Sequence, residues 1–155
     1  MSEFPRTTVG GVSLSRLIIG TNWFLGYSHT SRAKDQFIRQ YQTPERIAEV
    51  MCAFLERGVD TVMGPASPIL RQAAEIAQDR AGKELIVILT PHFNIKPGGP
   101  PENEPERQID YCKELGATFC MPHQGITYAL LDRMYRRIRD IEKYSALIRD
   151  RGMVP

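Results

Sequence analysis

Two of the chain's three histidines follow apolar, strand-like segments, and each comes one residue after a proline. His92 follows residues 84–90, and His123 follows residues 117–121. An imidazole exchanges protons near neutral pH and therefore suits acid–base catalysis. Asp60 adds a carboxylate of the kind that holds a catalytic group in one protonation state. We therefore predict that the catalytic residues are Asp60, His92 and His123.

The same two histidines support an alternative hypothesis. Together with a nearby carboxylate, His92 and His123 could bind a divalent metal ion and activate water, as in barrel hydrolases and isomerases. Neither an HxH nor an HExxH spacing accompanies them. The metal site is therefore the secondary interpretation of this pair.

Polar and aromatic residues also follow the predicted strands. Asn22 and Trp23 follow the first, Asn94 the third and Gln124 the fourth. Because parallel strands point the same way, their carboxyl ends should meet on one face, which is where ligands bind in α/β proteins. We predict that these four residues contact the substrate.

The elements that would position these residues repeat four times as an apolar strand followed by an amphipathic helix. The predicted strands are residues 16–21, 59–64, 84–90 and 117–121. Thr43-Pro44 and Ser67-Pro68 are typical helix starts. Residues 22–42 form a long connection, helical from Ser31 onward, of the length expected for a lid or binding loop.

The fourth helix is predicted to be the longest. Its apolar residues recur every three or four positions, which predicts one continuous stripe facing the sheet. They are Leu131, Met134, Ile138, Ile141 and Ile148, and Ser145 falls in the same stripe.

Four strand–helix units preceded by a short hairpin at residues 7–15 predict an α/β fold of the TIM-barrel type. The chain would be a single domain, residues 1–155, and the N-terminal half of a longer (β/α)8 barrel. An open flavodoxin-like sheet is the alternative. Strand order separates the two, because the barrel requires 1-2-3-4 and the open sheet 2-1-3-4.

Composition excludes several classes of protein. A formal charge of only +2 gives no basic surface for nucleic acid, and the N-terminus has no apolar stretch typical of a signal peptide or membrane span. Three cysteines without CxxC spacing do not predict a disulfide framework. We expect a cytoplasmic protein.

Residues 12–21 resemble the opening of aldo/keto reductases, where a hairpin precedes a strand that ends in Gly-Thr. Residues 58–61 resemble that family's strand two, and residues 89–90 and 121–123 resemble the ends of its strands three and four. The resemblance implies oxidoreductase chemistry on a small carbonyl or hydroxyl compound, with Asp60 and His123 at two positions of the catalytic tetrad. It also implies NADP(H), held largely by the barrel's second half, beyond residue 155.

Two other tetrad positions of that family are not matched. No tyrosine follows Asp60 within the next six residues, and Pro91 stands where the family has a lysine. We therefore expect altered or lost reductase chemistry. The alternative is a non-catalytic half barrel that associates through its exposed strand edges, as a homodimer or with a missing C-terminal half.

Overall fold

The computed structural model describes residues 4–93 and 104–155, which divide into two compact units, Met1–Val87 and Ile88–Pro155. The first unit contains strands β1 (Arg6–Val9), β2 (Val12–Ser15), β3 (Ile19–Gly20) and β4 (Thr61–Pro65), and helices α1 (Asn22–Leu25), α2 (Arg32–Tyr41), α3 (Pro44–Leu55) and α4 (Pro68–Ala81). Strand β5 (Ile86–Thr90) begins in it and continues into the second unit. The second unit adds α5 (Pro105–Glu114), β6 (Phe119–Cys120), α6 (Gln124–Leu130), β7 (Leu131–Asp132), β8 (Arg137–Ile138) and α7 (Ile141–Asp150).

Strands β3 to β6 form one four-stranded sheet whose order follows the chain, β3-β4-β5-β6. In the first unit, β3 pairs in parallel with β4, Ile19 opposite Val62. In the second, β5 pairs in parallel with β6, Ile88 opposite Phe119. The predicted α/β class is confirmed, and the order differs from the crossed order of a flavodoxin-like sheet. Closure into a barrel remains a prediction.

The N-terminal hairpin pairs β1 with β2 antiparallel, from Arg6 opposite Ser15 to Val9 opposite Val12. Its two-residue turn is Gly10-Gly11, and both glycines have positive φ, 56° and 84°. A turn of this kind matches the right-handed twist of the strands, and only glycine adopts it twice without strain.

Helices α2, α3 and α4 begin at the predicted residues, whereas the short helix α1 was not predicted. Thr43 caps α3 by accepting a hydrogen bond from the backbone N–H of Arg46 at 3.3 Å, and Ser31 caps α2 in the same way. Helices α3 and α4 pack against each other. Their buried residues are Ile47, Ala48, Met51 and Leu55 on α3, and Leu70, Ala73, Ala74 and Ala77 on α4. Each large side chain in this core contributes about 1.5–3 kcal/mol through the hydrophobic effect.

The prediction of one long fourth helix is wrong. Helix α6 ends at Leu130, the two-stranded ribbon β7–β8 follows, and α7 begins only at Ile141. Asp132 starts the turn of the ribbon because its carboxylate accepts the N–H of Tyr135 at 3.1 Å, a local bond that competes with helix. Arg136 and Asp140 have positive φ, 52° and 57°, which a continuous helix cannot contain.

The last residues of the chain pair with the sheet of the second unit. Val154 forms a parallel bridge with Phe119. Its N–H donates to Thr118 O at 3.0 Å, and its carbonyl accepts from Cys120 N at 2.9 Å. This parallel bridge follows α7, so the alternation of strand and helix continues to this point of the chain.

Within residues 4–93 and 104–155, no helix is both long enough and apolar enough to cross a membrane.

Candidate functional site

The two predicted catalytic histidines of the second unit lie side by side. The ring centroids of His92 and His123 are 5.2 Å apart, and the ring planes are tilted by 48°. His92 follows β5 by two residues and His123 follows β6 by three. Because β5 and β6 are parallel, both imidazoles lie at the carboxyl edge of this strand pair, as the sequence predicted.

Backbone and core contacts fix the two histidines in place. The N–H of His123 donates to the carbonyl of Pro91 at 3.1 Å and so ties the two loops together. Phe93, next to His92, is fully buried and packs on the ring of Tyr144 with the centroids 5.0 Å apart. The buried side chains around it come from α6 and α7: Ile126, Leu130 and Tyr144.

The hydrogen bonding of His123 determines its tautomer. Its Nδ1 accepts the backbone N–H of Gly125 at 3.1 Å, so in the neutral ring the proton is on Nε2. Burial lowers the pKa of His123, and the charge of His92 lowers it further. At neutral pH the ring is therefore uncharged and offers an N–H donor at Nε2.

Gly125 is close to both rings. A Cβ at this position would lie 3.3 Å from Nδ1 of His123 and 3.6 Å from Nε2 of His92. The absence of a side chain lets the backbone approach the imidazoles closely. The two histidines and this glycine form what we call the histidine pair site.

Asp60 lies in the first unit, where it contacts the N-terminal hairpin. It precedes β4, which starts at Thr61, so it lies at the amino end of the strand. Its carboxylate forms an ion pair with Arg6 of the hairpin at 2.7 Å and accepts from the Ser15 N–H at 3.1 Å. Burial acts to raise the pKa of Asp60, but the bonds from Arg6 and Ser15 outweigh it, and the net pKa is lowered. These contacts bind the hairpin to β4.

The predicted substrate-binding residues have mixed environments. The Asn22 amide contacts the His29 ring at 3.2 Å. Trp23 is about half exposed, and the Lys34 ammonium lies 4.6 Å from its ring centroid. Gln124, in the second unit, is exposed beside His123. Asn94 lies outside the described residues, and the substrate roles of all four remain predictions.

A concave site of about 300 Å³ lies in the first unit, in the loops that follow β3 and β4. The residues that line it belong to α1, α2 and α4 or directly flank these helices, and they include Phe24, Leu25, Arg39, Gln42, Ser67 and Ile69. Asn22 and Trp23 do not line it, although their neighbours do. The sequence indicated that the connection 22–42 is a binding loop. It did not indicate Arg39 or Gln42 as binding residues, because these residues come close to Ser67 only in the folded structure.

In the described part of the chain, no three His, Cys, Asp or Glu side chains lie close enough together to hold a metal ion. The metal hypothesis for His92 and His123 thus has no third protein ligand among those residues. A zinc site with three protein ligands would need one more.

Comparison of the chain with protein-family models, with curated proteins and with solved structures gives no match.

Proposed function

We propose that this chain is an acid–base enzyme domain that moves protons on a small carbonyl or hydroxyl compound at the histidine pair site. The observation that carries the proposal is the hydrogen bond from Gly125 N–H to Nδ1 of His123, which leaves Nε2–H as a donor. A neutral imidazole that donates in this way polarises a carbonyl oxygen while remaining uncharged.

The two rings take different roles in this proposal. His123 donates its Nε2–H to the substrate oxygen, where negative charge develops when a neighbouring C–H is deprotonated. His92, which is exposed, accepts the proton of that C–H group, and the two electrons of the C–H bond pass into the enolate. The proton then returns to the substrate, and no redox change occurs in the cycle.

Asp60 is not part of this proposed site, because Arg6, Ser15 and Thr61 already bind its carboxylate. Hydride transfer from a nicotinamide cofactor is not part of it either. The family that the sequence resembles protonates its substrate with a tyrosine, and residues 61–66 contain none. The proposal is therefore proton transfer on a reductase-like scaffold.

Exchange of substrate hydrogen with solvent tests this function. The protein in D₂O is incubated with a panel of small aldehydes, ketones and hydroxyketones, and loss of the α-hydrogen signal is followed by proton NMR. We expect exchange with at least one compound, reduced by about 10²-fold or more in His123→Ala and in His92→Ala.

His29→Ala is the matched control, because it removes the third histidine of the chain, which lies in the first unit. It should leave exchange unchanged. Equal rates in all three variants, or exchange with no compound of the panel, would contradict the proposal.

A second candidate function is association with another copy of the chain. Strand β3 is the edge of the four-stranded sheet, and the apolar residues that lead into it, Leu17 and Ile18, are 47% and 37% exposed. An open apolar edge is a site for pairing with another strand. Light scattering, which gives the mass in solution, tests this candidate.

A further inference from the structure

We propose that the 300 Å³ cavity of the first unit binds a small carboxylate with an apolar body, through the guanidinium of Arg39. This inference does not rest on the proposed function, because every residue of the cavity belongs to Met1–Val87 and the histidine pair site to Ile88–Pro155. The volume is at the lower end of the range for ligand pockets, which suits a small molecule.

The charge of the cavity selects an anion. Arg39 is its one charged lining residue, and none of the described residues that line it is acidic. The nearest acidic neighbour on the helix, Asp35, is already bound by the N–H of Ser28 at 2.7 Å and by its hydroxyl. Over the residues that the structure describes, no carboxylate forms an ion pair with Arg39.

The Arg39 side chain is held in place. Its Nε donates to the backbone carbonyl of Asp35 at 3.3 Å, and its stem packs on Gly26. A Cβ at Gly26 would lie 2.7 Å from Cγ of Arg39, and Gly26 has a φ of 76°, so no other residue fits there without strain. The terminal nitrogens of the guanidinium remain for a ligand, in the fork that matches a carboxylate.

The other walls suit an apolar body with one polar end. Phe24, Leu25 and Ile69 line the cavity together with two prolines, 65 and 68. Ser67 also lines the cavity, and its hydroxyl makes no capping bond to α4. Apolar walls with a few converging donors are typical of small-molecule sites.

Calorimetric titration of the full chain with benzoate and with benzyl alcohol tests the site. The two probes share an aromatic body, and only benzoate carries the carboxylate. We expect benzoate to bind and benzyl alcohol to bind at least about tenfold more weakly, since the charged fork contributes only to the first.

Three variants locate the site. Arg39→Gln should weaken benzoate about tenfold or more, and Arg39→Lys should weaken it less, because the charge stays and the fork is lost. Ala66→Phe fills the cavity and should abolish binding. Arg32→Gln, the control, removes an exposed positive charge from the same helix and should leave the affinity within about twofold.

Circular dichroism melting checks that each variant folds. The proposal is overturned if benzoate does not bind the unaltered chain, or if Arg32→Gln weakens binding as much as Arg39→Gln does. Unchanged binding in Ala66→Phe would also overturn it, because the ligand would then lie elsewhere.

Discussion

At His123, one backbone hydrogen bond decides which ring nitrogen carries the proton. Gly125 N–H occupies Nδ1, so the donor of the neutral ring is Nε2. The surroundings favour the same neutral form, because burial and His92 both lower the pKa of His123. The hydrogen bond and the lowered pKa both favour a neutral His123 that donates through Nε2. An exposed histidine without these contacts would have neither a fixed tautomer nor a lowered pKa.

A titration of the imidazole signals by NMR should give His123 a midpoint below about 6.5, the ordinary histidine value. Replacing His92 with Gln should raise that midpoint, because the electrostatic effect of the neighbouring imidazole is removed, but only part of the way, because the burial of His123 remains. A midpoint at or above the ordinary value in the unaltered chain would contradict the neutral-donor role.

The carboxylate of Asp60 acts as a brace between the hairpin and β4. Asp60→Asn should lower the free energy of unfolding by about 1–3 kcal/mol at pH 7, because the charged bond to Arg6 is lost. The folded-state pKa of Asp60 is lowered, so this contribution is present above about pH 4 and is lost as the pH falls through the folded value.

Thermal melts of both proteins from pH 7 to pH 2 measure this difference, which should shrink below about pH 4. Asp79→Asn is the control, since Asp79 is an exposed residue of α4. If Asp60→Asn melts like the unaltered chain at pH 7 while losing solvent-exchange activity, Asp60 is catalytic and the brace interpretation is wrong.

At the scale of elements, the contact between β3 and β4 depends on Gly64. A Cβ at Gly64 would lie 2.0 Å from Oγ1 of Thr21, the residue that follows β3. The missing side chain allows this hydroxyl to sit against β4. Gly20, in the facing strand, has nothing within 4 Å of the same added atom.

Gly64→Ala should therefore destabilise the protein by about 1–3 kcal/mol through overpacking, whereas Gly20→Ala should change its stability by less than about 0.5 kcal/mol. Urea unfolding measures both. Thr21→Ala should recover part of the loss in the double variant, because it removes the clashing oxygen. Equal effects of the two glycine substitutions would contradict the close approach.

The sequence predicted the elements whose signals are local. Thr43-Pro44 and Ser67-Pro68 begin helices as expected, because a proline at the first helical position acts within one turn. Thr43 also caps its helix through its side chain. Residues 131–138 misled the prediction, since their apolar spacing is helical but Asp132 stabilises a turn. Met134, counted in the apolar stripe, is 84% exposed. Periodicity cannot detect a local side-chain bond that competes with the helix.

In the candidate sites, too, some features could be predicted from local sequence signals and others could not. The positions of His92 and His123 followed from strand ends, which are visible in sequence. The ion pair of Asp60 with Arg6 joins residues far apart in the chain, and so does the convergence of Arg39 with Ser67. Contacts of this kind depend on the tertiary fold, and neither residue type nor spacing predicts them.

At the scale of the whole molecule, we expect two copies of the chain to associate through the sheet edge at β3. Light scattering over a series of concentrations should show a dimer that dissociates on dilution. Ile18→Lys should weaken it, because a charge at a strand edge opposes pairing. Val50→Lys is the control, since Val50 on α3 is as exposed, at 39% against 37%.

A single monomeric species at every concentration would contradict association. Equal weakening by Ile18→Lys and Val50→Lys would place the contact away from β3.

Trp23 gives the chain a spectroscopic reporter confined to the first unit. It is the only tryptophan, its backbone carbonyl accepts a bond from Gln42 of the cavity, and a lysine lies over its indole. Tryptophan emission during unfolding therefore follows Met1–Val87, while the far-ultraviolet dichroism follows helices of both units. Midpoints that coincide would identify one cooperative transition, and separate midpoints would give each unit a stability of its own.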